Sequence, residues 1–379
     1  MTEKLYYKDA YLKEFVAGVV SSVPCDGGYD VILDKTAFFP EEGGQASDDG
    51  TIGLSNVIHV YEKDGVIHHI TDANVTGDTA FCKLNFSKRL EKMQCHTAEH
   101  ILCGIIYKLF GFDNVGFHLG EDVVTFDVSG TLTKADIERV EALANEAVFE
   151  NLAVEAYFPD VDEIKSLSFR SKLDFKEGVR IVKIGDVDSC ACCAPHVSRT
   201  GEIGLIKILD FMKHRGGMRL TMVAGRRALL EFNILQSNIK RISAILSEPP
   251  HTTADMLEKY VADSEGVALQ LKQTRIKLAE LYAEGFSFDG EYAVVNRPEL
   301  SIDELRTFSN AARGRCRGIL VALSGVDGCY KYVISSDTRD VGAMSREINT
   351  ALSGKGGGRG NMIQGSFATT LKKIKGYFS

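Results

Sequence analysis

Two pairs of strong metal ligands, each at i, i+4 spacing, lie about a hundred residues apart in this chain: His96 with His100, and Cys192 with His196. Each is the only pair of its type. The first falls where Leu90, Met93, Ile101, Leu102, Ile105 and Leu109 recur at helical spacing and Gly111 offers a stop. Both imidazoles therefore leave one face of an amphipathic helix, one turn apart. The second pair falls in the segment Cys192-Cys-Ala-Pro-His196. Together they supply three imidazole nitrogens and one thiolate, a set suited to zinc. A fold that uses the set must bring a helix and a distant turn into one core. Cys190-Ala-Cys-Cys193 also has CxxC spacing, so a set built on Cys190 and Cys193 stays open. Cys192 is favoured because its spacing to His196 mirrors the histidine pair.

With 379 residues, 44% hydrophobic and 25% charged, the chain is long enough for two or three globular domains. Nine cysteines, an odd number with three crowded at 190–193, argue for metal ligation or free thiols in a reducing compartment rather than a disulfide framework. Apolar runs such as Gly318-Ile-Leu-Val-Ala-Leu-Ser324 fall far short of the roughly 20 residues a membrane helix needs. No basic segment followed by an apolar one opens the chain. The expectation is a cytoplasmic protein without a membrane partner.

The expected fold class is α+β, in four segments. Residues 1–87 alternate short β-like runs with Asp-Gly turns, the pattern of a small N-terminal β-barrel or meander. Residues 88–225 begin with the histidine helix, continue through a strand at 123–128 and a helix at 134–152, and end in mixed strands. Residues 226–286 carry helical patterns at 226–246 and 252–283 around Glu248-Pro-Pro250, with Thr252 and Asp255 at capping-box spacing. A helical hairpin that projects or dimerises is one reading of them, and two ordinary packed helices the other. Residues 287–379 read strand, helix, strand, strand, helix and finish in a glycine-rich loop, Gly354-Lys-Gly-Gly-Gly-Arg-Gly360, which predicts a small α/β domain.

A formal charge of −8 argues against a nucleic-acid partner until it is located. Residues 1–87 carry six lysines, no arginine and 14 acids, which accounts for all of it. The remaining chain is balanced and contains two basic stretches. Residues 205–227 hold Lys207, Lys213, Arg215, Arg219, Arg226 and Arg227 against Asp210, and residues 351–379 hold Lys355, Arg359, Lys372, Lys373 and Lys375 with no acid. Such clusters can meet RNA phosphates; solvated surface charge is the plainer alternative.

Four motifs, in order, resemble one family. His96-Thr-Ala-Glu-His100, preceded by Met93-Gln94, looks like the HTxxH motif of the alanyl-tRNA synthetase editing domain and of stand-alone alanyl-tRNA editing proteins. Cys192-Cys-Ala-Pro-His196-Val with Thr200-Gly-Glu-Ile-Gly204 resembles that family's second motif. Phe38-Phe-Pro-Glu-Glu-Gly-Gly-Gln45 resembles its F-Y-P-E-x-G-G-Q signature, and Gly354–Gly360 with Asn361-Met-Ile-Gln-Gly-Ser366 resembles the carboxy-terminal domain of alanyl-tRNA synthetases and some phosphoesterases. The family usually has two glycines and a threonine where this chain has Cys193-Ala-Pro195, and Pro195 removes a backbone donor there. Nothing ahead of the resemblance could be an aminoacylation domain, so hydrolysis of charged tRNA without its synthesis is expected.

The resemblance implies one zinc ion per chain on His96, His100, Cys192 and His196. It implies removal of serine or glycine wrongly attached to tRNA(Ala). Gln94, Thr97 and His118 are its candidates for the polar lining of the pocket, where a hydroxyl-binding site can discriminate serine from alanine by ~10⁴. Glu99 points about 100° from His100 around the helix, so a surface or outer-shell role is expected of it. Gly43, Gly44 and Gln45 read as a tight turn at the substrate end of the tRNA. Lys213, Arg215, Arg219 and Arg226 are assigned to the acceptor end, and Lys355 and Arg359 to a more distant part of the tRNA. A homodimer through the helical pair and the last domain is a further expectation. Two matters stay open: whether zinc is catalytic or positions substrate, and whether the chain is instead a non-catalytic tRNA-binding or synthetase-associated protein with structural zinc.

Overall fold

The run of short β-like segments at the start of the chain closes on itself. The computed structural model describes residues 1–171 and 178–379, which separate into two units, Met1–Lys240 and Arg241–Ser379. The first unit begins with β1 (Glu3–Lys4), β2 (Glu14–Cys25), β3 (Gly28–Leu33), β4 (Lys35–Thr36), β5 (Gly50–Ile52), β6 (Ser55–Lys63), β7 (Val66–Thr71) and β8 (Thr79–Leu84). Six of these form a closed barrel in the order β2-β3-β7-β6-β5-β8, while β1 and β4 pair in parallel. Asp64 and Gly65 both take positive φ in the two-residue turn joining β6 to β7, the geometry that matches hairpin twist. Alternate residues Val31, Leu33, Ile52, Val60 and Ile67 fill the interior.

The same interior holds one imidazole. His69 is fully buried; its Nδ1–H donates to Val31 O (3.0 Å), and its Nε2 accepts from the Thr36 hydroxyl (2.9 Å). Burial pushes the His69 pKa down to about 4. The Thr36 oxygen also accepts from Phe38 N (3.1 Å), which starts the long β4–β5 loop.

That loop is fastened to the next element, α1 (Phe86–Phe110), by a buried ion pair. Arg89 bonds Asp48 and the carbonyls of Ala10 and Ala37, and Lys92 Nζ donates to Ser47 O at 2.5 Å. Asn85 caps the start of α1 and Gly111, at φ 70°, ends it. After it come β9 (Asn114–Leu119), β10 (Val124–Val128), α2 (Lys134–Phe149), β11 (Val154–Tyr157), α3 (Val161–Ser166), β12 (Ile181–Ile184), β13 (Asp188–Ala191), β14 (Ile206–His214) and β15 (Gly217–Ala224). They make an antiparallel sheet β14-β15-β10-β9 and a three-stranded sheet β11-β12-β13. Met93, Ala98, Ile101, Leu102 and Ile106 of α1 pack into the core between these elements. At Gly104 a Cβ would stand 2.7 Å from the Asp188 side chain, so the missing side chain is what lets α1 lie against the start of β13.

Helix α4 (Arg226–Leu246) carries the chain from the first unit into the second. The second unit continues with α5 (Thr253–Glu284), β16 (Tyr292–Asn296), α6 (Ile302–Ala312), β17 (Ile319–Val326), β18 (Cys329–Ser336), α7 (Val341–Ala351), β19 (Gly354–Arg359), β20 (Met362–Phe367) and α8 (Leu371–Tyr377). Its sheet runs β16-β17-β18-β20-β19, parallel between β16 and β17 across α6 and antiparallel elsewhere. Exposed apolar side chains mark α4 (Leu229, Leu230, Phe232) and α5 (Tyr260, Val267, Leu271). No helix among the described residues is long and apolar enough to cross a membrane.

Two expectations are corrected. The glycine-rich segment is not a loop but β19, the edge strand. A Cβ on Gly356 would stand 2.3 Å from Gln364 O and 2.7 Å from the Tyr332 hydroxyl, so these glycines permit close strand packing rather than irregularity. Nor does Thr252 cap α5. Residues Pro250–Thr252 form a short 3-10 turn in which the Thr252 hydroxyl donates to Pro249 O (3.0 Å) instead.

The buried His69 makes stability acid-sensitive. Unfolded, its ring takes a proton as pH falls through about 6.5; folded, it resists until about 4, so the unfolded state binds more protons in that window. This group alone lowers the unfolding free energy by ~2 kcal/mol between pH 7 and pH 5. Urea titrations across that range should show the loss and a reduced slope in His69→Gln; equal slopes would contradict it.

Candidate metal centre

Helix α1 delivers His96 and His100 from one face, and the segment after β13 delivers Cys192 and His196 to meet them. Their ligand atoms all lie within 4.8 Å of one another. His196 Nε2 is 3.3 Å and His96 Nε2 3.7 Å from Cys192 Sγ. Ligands on a tetrahedral zinc, with bonds of about 2.0–2.3 Å, stand roughly 3.3–3.8 Å apart. The donor set and its spacing therefore fit such an ion.

Each imidazole has its far nitrogen occupied. His96 Nδ1–H donates to Gln45 Oε1 (2.8 Å), and His100 Nδ1–H to Asp188 Oδ2 (3.1 Å). Thr97 gives its hydroxyl hydrogen to Met93 O (2.7 Å), so its oxygen accepts from His196 Nδ1–H at 3.0 Å. In their neutral form all three rings are thus the tautomer whose Nε2 carries the lone pair a metal would take. Arg170 holds Asp188 with two bonds of 2.8 Å, and Arg180 holds the ligand segment through Cys192 O (3.1 Å) and Ala194 O (2.7 Å). The Phe117 ring stacks on His96, centroids 4.5 Å apart.

The electrostatics suit a cation. Burial would raise the Cys192 thiol, but the imidazoles of His96 and His196, with hydrogen bonds from His100 and His196, put it well below the ordinary thiol value. Burial opposes the charge on His100, yet Asp188 and Cys192 together raise its pKa well above the usual histidine range, so a metal that takes Nε2 displaces a proton there. His196, chiefly through burial, is pushed down to about 3. A buried thiolate among nitrogen lone pairs is a soft, anionic seat for a divalent metal.

Neither neighbouring thiol belongs to the four-residue group. Cys190 groups with Asp188 and His100, whereas Cys193 joins Tyr6, Phe39 and Ala194 and lies 3.9 Å from where a Gly43 Cβ would be. Gln94 is buried, donating to Glu202 O (2.8 Å) and accepting from Arg226 N (3.4 Å), and so ties α1 to the start of α4. Gly43 and Gly44, both at positive φ, turn the chain between Glu42 and Gln45. His118 is exposed, one residue from Phe117 and therefore on the opposite face of β9 from the ring that touches His96. Glu99 is not on the surface: it is buried, accepting from Cys103 Sγ (3.0 Å) and from Asn114.

Of the basic residues, Lys213 and Arg215 stand exposed at the β14–β15 turn. Arg226 is exposed and bonded to Ser87, and Arg219 forms a two-bond pair with Asp127 (2.7 and 2.8 Å). In the second unit, Lys355 lines an open groove between α7 and β19, with Arg346 and Asn349, and Arg359 is exposed at the far end of β19. Sequence reasoning missed Asp188, Arg170, Arg180 and Phe117. For Phe117 a signal existed: Val115, Phe117 and Leu119 alternate on one parity of the strand, which leaves His118 on the other.

Residues 179–220, which run through Cys192 and His196, match the family described as the threonyl and alanyl tRNA synthetase second additional domain. The alanyl-tRNA editing protein AlaX-L of Pyrococcus horikoshii is 30% identical over 99% of this chain and 96% of its own length. The chain belongs to the alanyl-tRNA editing protein family. Alanine–tRNA ligases of Haloquadratum walsbyi and Halobacterium salinarum are 30% and 31% identical over 94% and 88% of this editing-family chain, which spans only 40% and 38% of those ligases. The solved C-Ala domain of Aquifex aeolicus alanyl-tRNA synthetase aligns at 24% identity and a TM-score of 0.20, covering 23% of this chain and 85% of that domain.

The geometry separates the three thiols of this family member. Cys192→Ala should lose stoichiometric zinc, read by metal analysis after dialysis, while Cys190→Ala keeps about one ion per chain. The reverse pattern would show that Cys190 is the sulfur ligand.

Proposed function

We propose that the chain is a trans-editing hydrolase that releases serine or glycine wrongly attached to tRNA(Ala), acting in the cytoplasm. The observation that carries this reading is the set of three imidazoles, each fixed by its Nδ1–H, around the Cys192 sulfur in a member of an editing family. His96, His100, Cys192 and His196 would hold one zinc ion, which when bound supplies a Lewis acid for the ester carbonyl or for water.

The remaining residues position and recognise. Thr97 works through His196, because its hydroxyl already serves Met93 O, His196 and Val197 N. Gln94 works through Glu202 and the start of α4, and His118 from the outer face of β9. The Gly43-Gly44 turn admits the acyl end of the tRNA, and Gln45 orients His96. Lys213, Arg215 and Arg226 meet phosphates at the acceptor end, with Arg219 bracing the hairpin through Asp127. Lys355 and Arg359 meet phosphates elsewhere on the tRNA. Functionally the chain divides into the barrel of 1–87, the editing core of 88–225, the helices of 226–286 and the domain of 287–379, with the bare apolar faces of α4 and α5 supporting a homodimer.

One observation favours a second reading. Four protein ligands complete a tetrahedral site, the usual mark of structural zinc, which suits a non-catalytic tRNA-binding protein.

Serine release from Ser-tRNA(Ala), with Ala-tRNA(Ala) as control, decides between them. The hydrolase reading expects rapid release of serine and at least ~100-fold slower release of alanine. Release at the buffer rate in both would favour the binding protein. For the second basic cluster, the Lys355→Ala, Arg359→Ala double variant should weaken tRNA binding and flatten the log–log salt slope by about 1–2. An unchanged slope would remove those residues from the interface.

A further inference from the structure

An aminoacyl ester carries an ammonium group about 2.5 Å from the carbon that is attacked. A site that takes such an ester out of water must meet that charge with an anion or bear the cost of desolvating it. On the hydrolase reading, one carboxylate of this chain must do so.

The carboxylates around the centre are paired with basic groups or held by several donors, with one exception. Asp188 is held between Arg170 and His100, and Asp48 by Arg89. Glu99 is buried against Cys103 and Asn114. Glu202 accepts from the Tyr11 hydroxyl (2.7 Å), Ser198 Oγ (2.7 Å) and Arg199 N (3.0 Å). Glu41 lies 3.7 Å from His59 Nδ1. Glu42 is exposed, no basic side chain among the described residues comes within 4.0 Å of its carboxylate, and the partner it has is the Cys193 thiol, which donates to it.

Backbone geometry places Glu42 on the same face of its turn as Gln45. Glu42 and Gln45 are paired across the Gly43-Gly44 turn, with Gln45 N to Glu42 O at 3.0 Å and Glu42 N to Gln45 O at 3.2 Å. Residues paired in this way project to the same face, with Cβ atoms about 4.5–5.5 Å apart. The Gln45 side chain on that face reaches His96 Nδ1. The turn is braced by Leu119 N donating to Gly44 O (2.9 Å), and beside it lies the thiol of Cys193, the residue after the ligand Cys192. Glu42 is thus the exposed member of a pair whose buried member, Gln45, holds the His96 ring.

We propose that Glu42 receives the α-ammonium group of the aminoacyl ester and makes the site selective for aminoacyl-tRNA with a free amino group over N-acylated aminoacyl-tRNA. Its partner is a single charge-assisted hydrogen bond at the mouth of the site, worth about 10- to 100-fold in substrate preference.

The test compares Ser-tRNA(Ala) with N-acetylseryl-tRNA(Ala) as substrates for the full-length, zinc-loaded protein and its variants. The wild-type protein should favour the free amine by at least about 10-fold in kcat/KM. Glu42→Gln should bring that ratio to within a few-fold, mainly through a higher KM for Ser-tRNA(Ala), with zinc content and melting temperature unchanged. Glu42→Asp should restore most of the preference, and Glu41→Gln should keep all of it. A Glu42→Gln protein that retains the wild-type ratio overturns the inference and leaves the hydrolase reading standing. A wild-type protein that releases serine from neither substrate overturns both.

Discussion

Three imidazoles can offer lone pairs to one point only if each ring is held by its other nitrogen, and here three separate parts of the first unit do the holding. Gln45 comes from the β4–β5 loop of the barrel, Asp188 from β13 and Thr97 from α1 itself. The centre is therefore where barrel loop, helix and second sheet are registered to one another. Each holder is itself fixed: Asp188 by Arg170, Gln45 by the glycine turn braced on β9, and Thr97 by the backbone of its own helix. Moving any of these elements by an ångström would turn a ring away from the sulfur.

The buried pair of Arg89 and Asp48 belongs to the same design. Two charges at 1% and 2% exposure are costly to bury, and removing one partner would leave the other uncompensated at about 3–5 kcal/mol. Arg89 also bonds the carbonyl of Ala37, so together with Asp48 it fastens α1 to both ends of the loop that presents Gln45, and its bond to Ala10 O ties in the segment before β2. An apolar pair would fill the space without satisfying those carbonyls. Specific placement of the loop, rather than net stability, is what the charges provide.

Local regularities made much of this legible beforehand. The i, i+4 spacing of His96 with His100 needs only a helix to bring the rings together, and the apolar repeat from Leu90 to Leu109 showed the helix. The second pair shares that spacing but lies in irregular backbone after β13, so the loop and not a helix brings Cys192 and His196 together. The holders were not legible, because His96 reaches Gln45 across 51 residues and His100 reaches Asp188 across 88, and no spacing rule spans such separations. The segment Gly354–Gly360 misled because composition alone reads glycine as irregular backbone; at Gly356 and Gly358 a Cβ would meet the backbone of β20, and at Gly356 the Tyr332 hydroxyl as well, contacts made only on folding. Glu99 misled similarly: its direction around the helix was right, but the side facing away from His100 is buried too.

The central claim is a metal centre of three nitrogens and one sulfur, and zinc K-edge absorption spectroscopy on the zinc-loaded full-length protein tests it most directly. The account predicts three nitrogen scatterers near 2.0–2.1 Å and one sulfur near 2.3 Å, with the imidazole outer-shell pattern of three rings. Two or more sulfurs in the first shell, or none, would contradict it.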